Sequence, residues 1–276
     1  MSISLLSAGR RVSSSNIGLH PDAVRWLRRV IENGGTASLS TVSVVASFCA
    51  AIDAAGIRDR FYRLNLFCGD NLAAALVPLY RGPSLTGTQL GNITDTNTNF
   101  ASGDYSESTG LLNATGTKFL STGVTSSQLP ASSGHVAWSF TNNSFTQSGF
   151  AWGVNHTTTQ RTFNFISNAS SQSIEIGSSA GVGGLVLQNA YGRWLGSRTS
   201  TSLQTFYRNG ASVATDTTAR GATTGSTDQF LVFRSAGGSG SRFGMNYYGF
   251  GESMTAAQAA SFDSAVSAFL TALGRS

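Results

Sequence analysis

The chain has 276 residues and a formal net charge of +5 at pH 7, and only 11% of its residues are charged. An ordinary soluble domain has about 25% charged residues, so hydroxyl and amide groups must supply most of the polar surface here. Because 40% of the residues are hydrophobic and 10% are aromatic, the chain is not disordered. The composition also excludes a coiled coil or helical bundle, which needs Ala, Glu, Lys, Leu and Arg at helical period. The composition predicts a β-rich globular protein and names no reaction.

The basic side chains are nearly all arginines, because Lys118 is the single lysine. The two densest clusters comprise Arg25, Arg28, Arg29, Arg58, Arg60 and Arg63. A nucleic-acid-binding surface needs clustered basic side chains, but arginines at helical spacing are also typical of a solvated helix face. We therefore expect that nucleic acid is not a partner.

Cys49 and Cys68 each lie in an apolar run, which predicts two small buried side chains and leaves open whether they are paired. The amino terminus lacks the basic segment that begins a secretory signal. The richest apolar stretch is interrupted by Ser47 and Asp53, so no membrane span is predicted. We expect a protein made in the cytoplasm with no membrane partner.

The first third of the chain has helical periodicity. Pro21 suits the first turn of a helix that ends at Asn33-Gly34-Gly35, and Ser40 is a candidate cap for a second helix ending at Gly56. A strand is predicted at residues 64–67 and a third, short helix at residues 71–77. These elements predict a small helical layer.

After a Gly-, Thr-, Asn- and Ser-rich segment, apolar and polar residues alternate with a period of two. Strands are predicted at residues 135–141, 150–155, 162–167, 173–177, 185–189, 204–208, 229–234 and 245–250. The dipeptide Asn209-Gly210 predicts a type I′ hairpin turn, because both central residues of that turn need a positive φ. Thr255 and Gln258 have capping-box spacing at the start of a final helix.

The pattern predicts a mainly β fold: a jelly-roll β-sandwich preceded by a small helical amino-terminal module and closed by a carboxy-terminal helix. We expect four segments along the chain. They are an extended arm at residues 1–20, a helical attachment module at 21–80, a linker at 81–99, and the sandwich with its final helix at 100–276.

Several sequence segments resemble segments of known proteins. Residues 22–26 (DAVRW), 30–36 (VIENGGT) and 61–79 (FYRLNLFCGDNLAAALVPL) resemble the amino-terminal module of many tailed-phage and prophage virion proteins. In those proteins the module is followed by motifs similar to Thr98-Asn99-Phe100 and Gly103-Asp104-Tyr105. The Tyr207-Arg208-Asn209-Gly210 hairpin and the closing Gly249-Phe250-Gly251-Glu252 are similar to concanavalin A-like (laminin G-like) jelly rolls.

The resemblance, which covers residues 22–274, implies a non-enzymatic structural protein exposed on the virion, in a tail fibre, the baseplate periphery or a head decoration. It implies contacts with other virion proteins and with copies of itself, as a trimer if the protein forms a fibre or spike. Multivalent display would then make weak individual contacts useful.

A glycan hydrolase is the alternative, because some concanavalin A-like sandwiches mount paired carboxylates on one strand. The acidic residues of the strand region are Asp104, Glu107, Glu175, Asp216, Asp228 and Glu252. No two of them have strand spacing, so we predict no catalytic residue and expect no enzymatic activity. The three histidines have no neighbouring metal-ligand partners, so neither a metal nor a cofactor is predicted.

A glycan-binding site is the sharper hypothesis, since sugar sites combine an aromatic platform with amides and arginines that bind hydroxyl groups. The candidate residues are Trp152, Asn155, His156, Tyr191, Arg193 and Trp194. Tryptophans on inward strand faces are equally well explained as core residues, and we favour that interpretation for Trp138. The ligand would be a host-surface polysaccharide.

Overall fold

The computed structural model describes residues 18–141, 149–154, 163–167, 172–176, 182–185, 191–219, 224–234 and 242–275. The α-helices are α1 (Pro21–Glu32), α2 (Leu39–Ala54), α3 (Leu72–Ala75) and α4 (Ala256–Ala272). The strands are β1 (Phe61–Asn65), β2 (Thr96–Thr98), β3 (Tyr105–Ser106), β4 (Gly110–Asn113), β5 (Phe119–Thr125), β6 (Gly134–Phe140), β7 (Gly149–Val154), β8 (Phe163–Ser167), β9 (Gln172–Ile176), β10 (Val182–Leu185), β11 (Gly192–Ser200), β12 (Leu203–Arg208), β13 (Ala211–Asp216), β14 (Gln229–Val232) and β15 (Phe243–Gly251).

The strands form two antiparallel sheets that pack face to face. The first sheet has the order β13-β12-β11-β6-β15-β4-β3, and β1 also pairs with β15. The second sheet has the order β10-β9-β8-β7-β14-β5-β2. The predicted mainly β sandwich with a few helices and a carboxy-terminal helix is confirmed.

The central strands β6 and β15 of the first sheet are buried on both faces. In β12, Phe206 points into the core between the two sheets, whereas the next residue, Tyr207, points into a second core on the opposite face. Helices α1, α2 and α4 cover that opposite face with side chains such as Trp26, Phe48 and Phe262. The chain is therefore built in three layers, with the helices outside the first sheet and the second sheet on its other side.

Local capping chemistry sets the helix boundaries. Ser38, and not Ser40 as predicted, caps α2, because its hydroxyl oxygen accepts a hydrogen bond from the Thr41 amide at 3.1 Å. Thr255 and Gln258 form the predicted capping box at the start of α4.

The first strand ends earlier than predicted, because Phe67 has a φ of 41° and cannot continue an extended strand.

A buried polar cluster joins β1 to the segment that precedes β2. The Asp95 carboxylate accepts hydrogen bonds from Arg63 Nη2 at 2.6 Å, Asn65 Nδ2 at 2.7 Å and the Tyr248 hydroxyl at 2.7 Å. Arg63 and Asp95 are both fully buried. The division into module, linker and sandwich stays a prediction, although this cluster and the pairing of β1 with β15 tie the three parts together.

Cys49 and Cys68 are both buried, as predicted for small core side chains, and the structure answers the question of pairing because both thiols are free. Burial raises the pKa of the Cys68 thiol to about 12. In the part of the chain that the structure describes, no helix combines the length and apolar character that crossing a membrane requires.

Candidate functional site

The hairpin between β12 and β13 fixes the start of β11. Asn209 has a φ of 49° and Gly210 a φ of 78°, as the predicted type I′ turn requires. The Asn209 amide donates a hydrogen bond to the Arg193 carbonyl at 2.8 Å, and the Arg193 amide donates to Asn209 Oδ1 at 3.0 Å. This reciprocal pair holds the hairpin against β11.

Arg193 reaches from β11 to the helical layer. Its Nε and Nη2 donate hydrogen bonds to the two carboxylate oxygens of Asp263 on α4, at 2.8 and 3.0 Å. The Asp263 hydrogen bonds raise the pKa of the Arg193 guanidinium. The Arg193 side chain is 25% exposed and that of Asp263 is 16% exposed, so the pair lies at the surface and not in the core.

Arg208, at the end of β12, projects from the opposite face of the first sheet, because its register partner on β11 is Trp194. Its Nη2 donates a hydrogen bond to the Tyr191 carbonyl at 2.6 Å, and its guanidinium carbon lies 5.2 Å from the centre of the Trp194 ring. Gly192 makes room for it, because a Cβ at that position would lie 3.3 Å from Arg208 Nε and 3.1 Å from Asn209 Oδ1. Gly192 also has a φ of 130°, which side chains rarely tolerate.

Tyr191 gives this region an exposed aromatic side chain. It is 38% exposed, and it is the one aromatic among the large exposed hydrophobic residues of the described ranges. We call the region formed by Tyr191, Arg193, Asn209 and Asp263 the hairpin surface. It combines an accessible aromatic side chain with guanidinium, amide and carboxylate groups held by a strand, the β12–β13 turn and a helix.

Of the six residues predicted for a glycan site, the structure places Tyr191 and Arg193 on the hairpin surface. Trp194 is 2% exposed and stacks on Trp138, with ring centres 6.4 Å apart. Its ring is therefore not accessible for stacking on a sugar, and it contacts the Arg208 guanidinium instead. Trp138 is fully buried, as predicted for a core residue.

The remaining three predicted residues are not described at side-chain level. The backbone of Trp152 lies in β7, opposite Val232 and Phe165. Asn155 and His156 fall outside the described residues. Their proposed role in glycan binding stays a prediction.

Asn209 and Asp263 were missed as site residues. The signal that points to Asn209 is the Asn209-Gly210 dipeptide, because a hairpin turn presents its side chains to solvent. Asp263 carries no such signal, since its contact with Arg193 bridges 70 positions of sequence.

The amino-terminal arginines form hydrogen bonds and ion pairs with other residues of the chain. Arg29 donates to the Pro78 and Leu79 carbonyls, Arg58 to the Asp22 carboxylate, and Arg25 to the Leu85 carbonyl. The exposed Arg28 pairs with Glu32 one turn along α1. These contacts account for most of the two clusters, and the expectation that nucleic acid is not a partner stays a prediction.

Two further titratable groups lie near the end of β15. His135 is fully buried, its Nδ1 donates to the Glu252 carbonyl at 2.5 Å, and burial lowers its pKa to about 4. The Tyr62 hydroxyl donates to the Glu252 carboxylate at 2.5 Å, and burial raises the pKa of this phenol. The described ranges contain no group of three or more His, Cys, Asp or Glu side chains that could hold a metal ion.

No protein-family model matches the sequence, and no curated protein is significantly similar to it. Solved structures do resemble the fold. Domain 4 of AbnA, an extracellular GH43 arabinanase from Geobacillus stearothermophilus solved with arabinotriose, is 14% identical, with a TM-score of 0.44 over 74% of this chain and 98% of that one. A Trypanosoma rangeli sialidase is 10% identical, with a TM-score of 0.42 over 80% of this chain and 38% of that one.

A protein of unknown function from Shewanella oneidensis MR-1 is also similar, at 13% identity and a TM-score of 0.36 over 62% of this chain. This chain spans less than half the length of the sialidase. At such identities the likeness concerns the β-sandwich fold alone. It transfers no activity and no ligand.

The comparisons correct one expectation from the sequence. The absence of paired acidic residues was taken to mean that the chain has no enzymatic activity. The structures that it resembles include a domain of an arabinanase and a sialidase. The prediction that excluded enzymatic activity was therefore wrong. Nothing in these comparisons is specific to phage proteins.

Proposed function

We propose that this chain binds carbohydrate through the hairpin surface. The single observation that carries the proposal is the exposed Tyr191 side chain beside the Arg193–Asp263 pair. An aromatic ring can stack on the apolar face of a sugar, while guanidinium, amide and carboxylate groups hydrogen-bond its hydroxyls.

The rigidity of the hairpin surface supports this proposal. Arg193 is fixed by its two hydrogen bonds to Asp263, and Asn209 is fixed by its two hydrogen bonds with the Arg193 backbone. A ligand then does not have to order these side chains, and ordering a long side chain costs about 0.5–1.5 kcal/mol. Preorganised donors around an exposed aromatic residue are the features that a small polar ligand needs.

A glycan array probed with the full chain tests the proposal. The wild-type chain should bind a defined set of glycans, and Tyr191→Ala should lose that binding. Val213→Ala is the matched control, because Val213 is 41% exposed on the neighbouring strand β13 and outside the hairpin surface. Absence of binding by the wild-type chain, or equal binding by Tyr191→Ala, would overturn the proposal.

Hydrolysis is measured in the same experiment. Each bound glycan is incubated with the chain and assayed for new reducing ends. Release of sugar would add a hydrolase activity to the binding function, and the Asp263→Asn variant would then test whether the carboxylate of the hairpin surface contributes to it. Binding without release would identify a recognition function.

We further propose, from the resemblance of residues 22–36 and 61–79 to phage virion modules, that the chain is displayed on a phage particle among copies of itself and other virion proteins. The host-surface polysaccharide would then be the ligand of the hairpin surface. The test is the copy number of the chain in purified particles, measured by quantitative mass spectrometry. Absence of the chain from the particles would overturn this location.

A further inference from the structure

We infer that Arg25, Arg29 and Arg81 form a binding site for a tetrahedral oxyanion, a phosphate or sulfate group. We call these three residues the arginine cluster. It shares no residue with the hairpin surface, and carbohydrate binding there neither requires nor supplies it. Three observations support the site: the arginines meet at one loop, they lack acidic partners, and they keep donors that solvent reaches.

The three arginines meet at the loop that follows α3. Arg25 and Arg29 are four residues apart on α1, a spacing that makes them neighbours on one helix face. Arg25 Nη1 donates a hydrogen bond to the Leu85 carbonyl, and Arg29 Nη2 donates to the Leu79 carbonyl at 3.0 Å. Arg81 belongs to the same loop, between these two carbonyls, so all three guanidinium groups lie where α1 contacts the loop.

No carboxylate neutralises the arginine cluster within the part of the chain that the structure describes. The two nearest carboxylates are those of Asp22 and Asp95, and both are engaged by other arginines. Asp22 accepts a hydrogen bond from Arg58 Nε at 2.9 Å, and Asp95 accepts one from Arg63 Nη2 at 2.6 Å. The arginine cluster therefore holds three positive charges without a counter-charge.

The pKa of Arg29 reflects this excess of positive charge. Burial lowers that pKa to about 10, and the neighbouring charge with the largest effect, that of Arg81, lowers it further. Arg63 and Arg25 act in the same direction, whereas Asp22 opposes them. A bound anion would offset this repulsion, because an opposite charge stabilises the protonated guanidinium.

Solvent reaches several unused donors of the arginine cluster. Arg29 and Arg81 each use only Nη2, on backbone carbonyls, and their Nε atoms are buried without an acceptor among the described residues. The Nη1 atoms of both arginines also lack an acceptor there, but they are not buried. Arg25 is exposed and uses only Nη1. An anion can therefore bind the accessible nitrogens without entering the core.

The charge and the donors of the arginine cluster fit an anion with several oxygens. A guanidinium presents its N–H groups as a planar fork that matches phosphate and carboxylate geometry, and charge-assisted hydrogen bonds are about twice as strong as neutral ones. Three uncompensated charges favour a doubly charged anion over a single carboxylate. The ligand is thus a phosphate or sulfate group, either free or carried by a larger molecule.

Titration calorimetry of the full chain with inorganic phosphate, and separately with inorganic sulfate, tests the inference. Sodium chloride keeps the ionic strength constant. At least one of the two anions should bind saturably at about one site per chain, and acetate should bind about tenfold more weakly or less. A phosphorylated monosaccharide identifies the source: tighter binding than inorganic phosphate assigns the group to a sugar phosphate, and weaker or equal binding assigns it to the free anion.

Two variants locate the binding. Arg29→Gln should weaken it about tenfold or more, while Arg28→Gln should leave it unchanged. Arg28 is the matched control, because it is exposed on the same helix, pairs with Glu32 and changes the net charge by the same amount. A circular dichroism melt checks that each variant folds. If Arg29→Gln does not fold, the exposed Arg25→Gln should weaken anion binding about threefold or more.

Three results would overturn the inference. The first is no saturable binding of either phosphate or sulfate, and the second is acetate binding as tight as theirs. The third is an equal loss in Arg28→Gln and Arg29→Gln, which would make the binding an effect of overall charge. None of these results bears on carbohydrate binding at the hairpin surface, which the glycan array tests separately.

Discussion

Arg193 on β11 and Asp263 on α4 form a bidentate ion pair, with Nε–Oδ1 and Nη2–Oδ2 distances of 2.8 and 3.0 Å. This pair connects the first sheet to the helix that covers it, at the edge of the proposed binding surface. A bidentate pair restricts the guanidinium to one plane, so it positions Arg193 for a ligand as well as stabilising the fold.

Removal of Asp263 should destabilise the protein. Asp263→Ala leaves the Arg193 guanidinium partly buried without its acceptors, which we expect to lower the free energy of unfolding by about 1–3 kcal/mol. Urea denaturation measures the change. Arg28→Ala is the control, because the Arg28–Glu32 pair is 79% and 55% exposed and should contribute less than about 1 kcal/mol. Equal effects of the two substitutions would contradict the structural role of the pair.

Gly192 should be needed for both stability and binding. An alanine there would face a φ of 130° and press on Arg208 Nε and Asn209 Oδ1. We expect Gly192→Ala to lose about 1–3 kcal/mol of unfolding free energy and to weaken glycan affinity. Gly103→Ala is the matched control, because no atom lies within 4 Å of the Cβ that it would add. A Gly192→Ala variant with wild-type stability and affinity would show that the geometry around Arg208 is unimportant.

Removal of one partner of the buried Arg63–Asp95 pair should cost more stability than removal of one partner of a surface pair. Asp95→Asn leaves the fully buried Arg63 guanidinium without a counter-charge and weakens the hydrogen bonds from Asn65 and Tyr248. The expected loss is about 3–5 kcal/mol, as found when one partner of a buried ion pair is removed. Chemical denaturation checks this value, and a loss below about 1 kcal/mol would be inconsistent with a desolvated pair.

His135 should make stability depend on pH. Burial lowers its folded pKa from 6.5 to about 4, so between these values the unfolded chain binds a proton that the folded chain does not. Its contribution is therefore fully present above pH 6.5 and is lost as the pH falls towards 4, by roughly 3 kcal/mol in total. Unfolding free energies measured across this window should fall more steeply for the wild type than for His135→Gln. Parallel curves would contradict the shifted pKa.

The features that the sequence predicted correctly are local ones. Asn209-Gly210 and the Thr255–Gln258 capping box each depend on two to four neighbouring residues, and both occur as expected. The alternation of Phe206 and Tyr207 between two cores also follows from strand geometry, although the sequence does not reveal that helices cover the second face.

The features that were missed depend on tertiary contacts. Strand β11 was not predicted because Gly192 and Gly196 interrupt its alternating pattern. A Cβ at Gly196 would lie 3.2 Å from the Ile174 side chain of the second sheet, so this glycine allows the two sheets to approach. The hairpin surface is likewise assembled from β11, the β12–β13 turn and α4, and no local pattern links Asp263 to Arg193.

Titration calorimetry with Tyr191→Ala tests the central claim most directly. The glycan that binds the wild-type chain best is titrated into the wild type, Tyr191→Ala and the control Val213→Ala under one buffer condition. The account predicts a loss of affinity of about tenfold or more for Tyr191→Ala, as for an exposed aromatic anchor, and no change for Val213→Ala. Wild-type affinity in the Tyr191→Ala variant would contradict carbohydrate binding at the hairpin surface.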